Sequence, residues 1–181
     1  MNIPVVLIVY KRTETTRRVF EVIRKVRPST FYLVADGPKN ISQKRICDEV
    51  ISIVEKGIDW DCNYFKIQSD ANLGLARRVQ TGLDEVFSIE KNAIILEDDT
   101  LPDPSFFRFC EDLLIKYKDN KNVAHISGCN LHPEVSNGNS SYCFSSIINI
   151  WGWATWKRAW KHFDLQMPGW EKEHKNQFLQ N

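Results

Sequence analysis

The chain lacks the sequence signatures of several common enzyme classes. There is no G-x-x-x-x-G-K-[ST] phosphate loop, no G-x-G-x-x-G and no G-x-S-x-G. P-loop, dinucleotide-binding and triad-hydrolase chemistry therefore lose their usual supports. Five cysteines (Cys47, Cys62, Cys110, Cys129, Cys143) form no C-x-x-C pair. An odd number so widely spaced favours buried free thiols over zinc ligands or a disulfide framework. The four histidines, His125, His132, His162 and His174, are unclustered, and His125 lies inside an apolar run as a satisfied core residue would. An excess of either charge is also missing: 24 Lys and Arg against 23 Asp and Glu leave +1. That balance gives no footprint for nucleic acid. No apolar stretch approaches the roughly 20 residues that span a bilayer, and "MNIPVVLIVYKRTE" is too short and wrongly flanked for a signal peptide. The expected compartment is the cytoplasm, with no transmembrane segment and peripheral membrane association left open.

With 43% hydrophobic and 26% charged residues, the 181-residue chain is ordinary for a globular domain with a real core. "IPVVLIV" (3–9), "TFYLVADGP" (30–38), "CNYFKIQSD" (62–70), "AIILEDD" (93–99) and "NVAHISG" (122–128) read as strands. Between them, 14–26, 41–55, 73–87 and 104–118 carry apolar residues at helical spacing; in the third helix Leu75, Val79, Leu83 and Val86 or Phe87 share a face. The alternation predicts a three-layer α/β/α sandwich with a mostly parallel sheet. Right-handed crossovers would bring the ends after Val9, Ala35, Ile67 and Leu96 to one edge. Residues 1–130 form the expected α/β unit, and 131–181 a segment continuous with it.

Ligands of such sheets bind beyond the carboxyl ends of the strands. At that edge the fourth strand runs from Ala93–Leu96 into Glu97, Asp98 and Asp99. Three adjacent carboxylates repel one another, and desolvating them is costly without a positive partner. A hard divalent cation, Mg²⁺ or Mn²⁺, is the simplest compensator; an acidic cap on the following helix is the plainer alternative. The first strand delivers Arg12 to the same edge, suited to phosphate through its bidentate donors, and the second delivers Asp36, able to accept from a base NH. "NLGLARR" adds a helix N-terminus with Arg77 and Arg78, of which at most one is expected to face a ligand. Together these residues describe a site for a nucleoside diphosphate and its metal. Four of six tryptophans follow in "IWGWATWKRAW". Trp153, Trp156 and Trp160 sit at i, i+3 and i+7, which predicts one helix face; Trp156 and Trp160 are expected to pack it onto the sheet, whereas Trp151 and Trp153 suit a sugar-lining loop.

These residues resemble the GT-A-fold glycosyltransferases, a Rossmann-like group of nucleotide-diphospho-sugar transferases. "AIILEDDTLPDPSFF" resembles their acidic metal motif in the E-D-D form of the β-1,2-N-acetylglucosaminyltransferases. "VVLIVYKRTETTRRV" and "LVADGP" resemble the first two strands of that group, and "NLGLARRVQTG" is similar to a segment of family 2 transferases. "VAHISGCN" and "IWGWATWKRAW" resemble the acceptor side, so the likeness spans about residues 3–160. The resemblance implies a metal-dependent transfer of a sugar from a UDP-sugar to a saccharide, glycoconjugate or other hydroxyl acceptor, with inversion. Asp99 would be the metal ligand, and Asp98 and Glu97 would contact donor sugar and ribose. Val9, Tyr10, Arg12, Asp36, Asn72, Arg77 and Trp153 would complete the nucleotide-sugar site. The general base of such enzymes follows the Gly-Trp motif, where this chain offers Trp170-Glu171. A base beyond Asn181 is the other placement, and with it a nucleotide-sugar-binding domain or fragment without full transferase activity is one alternative. A sugar-1-phosphate nucleotidyltransferase is another, although the first strand runs into "YKRTE" with no glycine-rich turn for a triphosphate.

Overall fold

A computed structural model describes residues 1–131 and 141–168. Its centre is strand β1 (Val5–Val9), whose five residues are all buried. An unbroken run of β-branched and aliphatic residues is what a strand covered on both faces requires. β2 (Thr30–Ala35) and β4 (Asn92–Glu97) flank β1 in parallel, and β3 (Asn63–Gln68) lies parallel beyond β2 at the edge. As an edge strand β3 is mostly exposed, which its polar sequence "NYFKIQ" tolerates.

Helices α1 (Thr13–Val26), α2 (Ile41–Gly57) and α4 (Ser105–Lys116) cover one face, packing Val19, Phe20, Val50, Val54 and Phe107 onto it. Helix α3 (Leu75–Ile89) covers the other through Leu83, Val86 and Phe87. Leu75, expected on that apolar face, is exposed instead. Local sequence sets the helix ends. The Asn40 side chain accepts the Gln43 N–H at 3.2 Å as a cap for α2, and α1 ends at Arg27, in a left-handed conformation just before Pro28. The three-layer sandwich and the mostly parallel sheet are those read from the sequence.

The aromatic segment departs from its predicted helix. Trp153–Trp156 form β6, antiparallel to β4, with Ile95 opposite Trp153 and Asn92 opposite Trp156. β5 (His125–Ser127) pairs on its far side, giving the order β3-β2-β1-β4-β6-β5. Helix α5 is the single turn Lys157–Trp160. Filling the slot between β4 and β5 gives "WATW" two backbone partners and buries all four side chains, which outweighs helical spacing. Trp153 and Trp156 then point to opposite faces. Trp156 joins the α4 side and donates Nε1–H to the Leu114 carbonyl at 3.1 Å, while Trp153 stacks on His125 on the α3 side.

All five cysteines are free thiols; Cys47 and Cys110 are buried, and Cys143 is exposed rather than buried as expected. Among the described residues no helix is long and apolar enough to cross a membrane.

Candidate functional site: an acidic edge beside an apolar cavity

The parallel arrangement of β1, β2 and β4 puts Tyr10, Asp36 and Asp98 just beyond one edge of the sheet. There the chain builds two ionic clusters.

In the first cluster, Asp98 is buried and held on two sides. Its Oδ2 accepts the Tyr10 backbone N–H at 3.2 Å and its Oδ1 accepts from Arg12 Nη1 at 3.0 Å. The same Arg12 nitrogen donates to Asp99, which is half exposed. Burial pushes the Asp98 carboxyl above the usual carboxylate range in spite of the Tyr10 amide and Arg12. Glu97 is half-buried and shifted the same way, by burial first and then by the charges of Asp99 and Asp98, with Arg12 pulling back. Arg12, held by both aspartates, titrates above its ordinary range. At this edge one arginine serves two carboxylates.

The second cluster is built on Asp36. Oδ1 accepts the N–H of Gly37 at 2.9 Å and of Leu73 at 2.8 Å; Oδ2 accepts from Asn72 Nδ2 at 2.8 Å and Gly74 N at 3.1 Å. A carboxylate has about four acceptor sites, so this one is saturated. The Asn72 amide also donates to the Gly37 carbonyl at 3.0 Å. The anion received by the amides leading into α3 is thus the chain's own Asp36. A Cβ on Gly37 would stand 2.5 Å from the Ala71 carbonyl carbon, so glycine is needed for the β2 and β3 loops to touch. Val9, expected beside the nucleotide, is buried, and its carbonyl accepts the Asp36 N–H at 3.1 Å.

Of the paired arginines, Arg77 is exposed and Arg78 turns inward, 4% exposed. Gly82 makes room for it: the position of a Gly82 Cβ lies 3.3 Å from Arg78 Nη2 and 2.4 Å from Val34. The Arg78 Nε and Nη2 atoms have no hydrogen-bond partner among the described residues, and Glu85 Oε1 is 4.0 Å away. Burial lowers the Arg78 pKa. The arginine turned from the ligand was expected to be solvated; Arg78 is buried instead, in the space that Gly82 leaves one turn further along α3. A buried, poorly partnered charge costs stability, so Arg78→Met should hold or raise stability, by about 1 kcal/mol. Urea denaturation measures it; a loss above about 2 kcal/mol would contradict the assignment.

Beside the acidic edge lies a cavity of about 630 Å³ between α3 and the β6–α5 region. Its walls include Leu75, Val79, Trp153, Trp160 and Phe163, and Glu97 lies at its margin. Trp160 stacks on Phe163 with ring centroids 4.5 Å apart and donates Nε1–H to Asp84 at 2.8 Å. The His125 ring is 5.1 Å from that of Trp153, its Nε2 is 2.8 Å from the Asn149 carbonyl oxygen, and burial holds its pKa down. Trp151 and Trp153 were expected in a sugar-lining loop. Trp153 instead lies in strand β6 and lines this cavity, whereas Trp151 is exposed outside the cavity lining. His125 and Phe163 join the wall through the unforeseen β6. Glu171, expected as the base, lies outside the described residues, as do His132, His174 and Trp170.

Among the described residues no group of three or more His, Cys, Asp or Glu side chains is arranged to hold a metal. A cage made wholly of protein ligands is not present there. One half-exposed carboxylate, Asp99, beside the buried Asp98 does fit a hard cation that takes most of its oxygens from phosphate and water.

No family model matches the chain, and no curated protein matches it. Among solved structures, 4-diphosphocytidyl-2C-methyl-D-erythritol synthase from Anaerococcus prevotii aligns over 98% of this chain and 78% of its own, at 10% identity and a TM-score of 0.48. That likeness is too distant to carry an argument about chemistry.

Proposed function

We propose that the chain is a metal-dependent glycosyltransferase domain that takes a UDP-sugar and transfers the sugar, with inversion, to a hydroxyl acceptor. One observation carries the reading: a single arginine shared by two carboxylates at the carboxyl edge of a parallel sheet, beside a cavity large enough for a small molecule.

Asp99, with Asp98 behind it, would hold Mn²⁺ or Mg²⁺. When bound, the metal offsets the negative charge on the departing diphosphate. Tyr10 N–H fixes Asp98, so this carboxylate is oriented before any ligand arrives. Arg12 is over half exposed; on release from Asp99 its guanidinium would meet a phosphate through two parallel donors. Asp36 orders Asn72, Leu73 and Gly74 on the nucleotide side, and a contact with a uracil NH would require it to give up one of its present donors. Arg77 remains available at the exposed start of α3. Glu171 is the proposed proton acceptor for the attacking hydroxyl.

The test is a panel of UDP-sugars assayed for metal-dependent release of UDP, set against UTP with sugar 1-phosphates assayed for pyrophosphate. UDP release from one or a few donors is expected. Pyrophosphate release without UDP release would overturn the reading in favour of a nucleotidyltransferase.

A further inference from the structure

We infer that the cavity beside Glu97 seats the acceptor and selects an amphiphilic alcohol, one whose hydroxyl is carried on an apolar body, with the hydroxyl hydrogen-bonded to Glu97. The inference rests on the transferase reading and names the substrate class of that site.

Its argument begins with the walls. Leu75 and Val79 of α3 form one side, and Trp153, Trp160 and Phe163 form the other. The polar groups among them are mostly committed. Thr155 Oγ1 donates to the Ala124 carbonyl at 2.7 Å, His125 is engaged with Asn149, and His162 sits exposed at the rim. Glu97 differs: its carboxylate receives no hydrogen bond from any described side chain or amide, whereas Asp98 and Asp99 are both held by Arg12.

Two extremes of ligand then fit poorly. A fully polar sugar could stack a face on Trp153 or Trp160 but would leave its remaining hydroxyls without hydrogen-bond partners along Leu75, Val79 and Phe163. A pure hydrocarbon would leave the Glu97 carboxylate desolvated without a donor. A compound with one hydroxylated end and an apolar body satisfies both. The cavity is continuous with the acidic edge through Glu97, so the hydroxyl end falls on the side where the donor's sugar would lie.

The experiment titrates the full chain, in Mn²⁺ and UDP, with octyl β-D-glucoside below its micellar concentration and with methyl β-D-glucoside. Each buried methylene strengthens binding about fourfold, so burying three of the extra methylenes gives roughly 60-fold tighter binding of the octyl compound. Ala76 lines the cavity from an exposed position on α3, so Ala76→Trp should fill the cavity without unfolding the chain. That variant should lose the octyl preference and keep its UDP affinity. Glu97→Gln should weaken the octyl glucoside about tenfold by replacing a charged acceptor with a neutral one. Equal affinities for the two glucosides, or an octyl preference that survives Ala76→Trp, would overturn the inference while UDP binding left the transferase reading intact. Octyl binding without any UDP binding would overturn the acceptor assignment together with that reading.

Discussion

Asp36→Ala is expected to destabilise the fold by about 3 kcal/mol, lowering the melting temperature by roughly 10 °C. The substitution removes one side chain but strands four donors, from Gly37, Asn72, Leu73 and Gly74. An unpaired buried donor costs about 1–3 kcal/mol, and the exposed members of the set recover part of that from water. The loop between β3 and α3 would lose its anchor, so the start of α3 should loosen as well. Asp36→Asn keeps one acceptor oxygen and turns an NH₂ group toward the remaining donors, so its stability should fall between those of wild type and Asp36→Ala. Urea and thermal unfolding measure both; wild-type stability in Asp36→Ala would show that the loop is held by something else.

Asp99→Ala is expected to do the reverse, sparing the fold and removing function. Asp99 is half exposed, and its one polar side-chain partner among the described residues is Arg12, itself more exposed still. A pair of that kind contributes about 0–1 kcal/mol, and Arg12 retains Asp98. The melting temperature should therefore shift by no more than about 3 °C. Metal-dependent affinity for UDP should fall about 100-fold, because the exposed carboxylate that fits the cation has gone. The two variants thus separate an aspartate that organises the loops from one offered to a ligand. Unchanged UDP affinity in Asp99→Ala, with and without Mn²⁺, would sink the metal assignment.

Much of the fold was legible because it rests on local patterns. Val5–Val9 and Ala93–Leu96 are unbroken apolar runs, and such runs become central strands. Val19, Phe20 and Ile23 repeat at helical spacing and are buried on α1. Strand β6 was hidden because its signal is not local. "WATW" has aromatic residues at i and i+3, as a helix face would, and its extended state is fixed by ladders to β4 and β5 that a sequence does not display. The candidate site divided along the same line. The meeting of Arg12 with Asp98 and Asp99 followed from two parallel strands ending at one edge. The saturation of Asp36 did not, since it depends on how the loop through Asn72–Gly74 folds back over β2. His125 and Phe163 came to line the same cavity as Glu97 only through the placement of β6.

The most direct test of the account is calorimetric titration of the wild-type chain with UDP, in Mn²⁺ and again in EDTA. The account predicts saturable binding in Mn²⁺ that is lost in EDTA. Absence of binding in both conditions, or equal binding in both, would contradict it and leave the three carboxylates as an acidic turn balanced by Arg12.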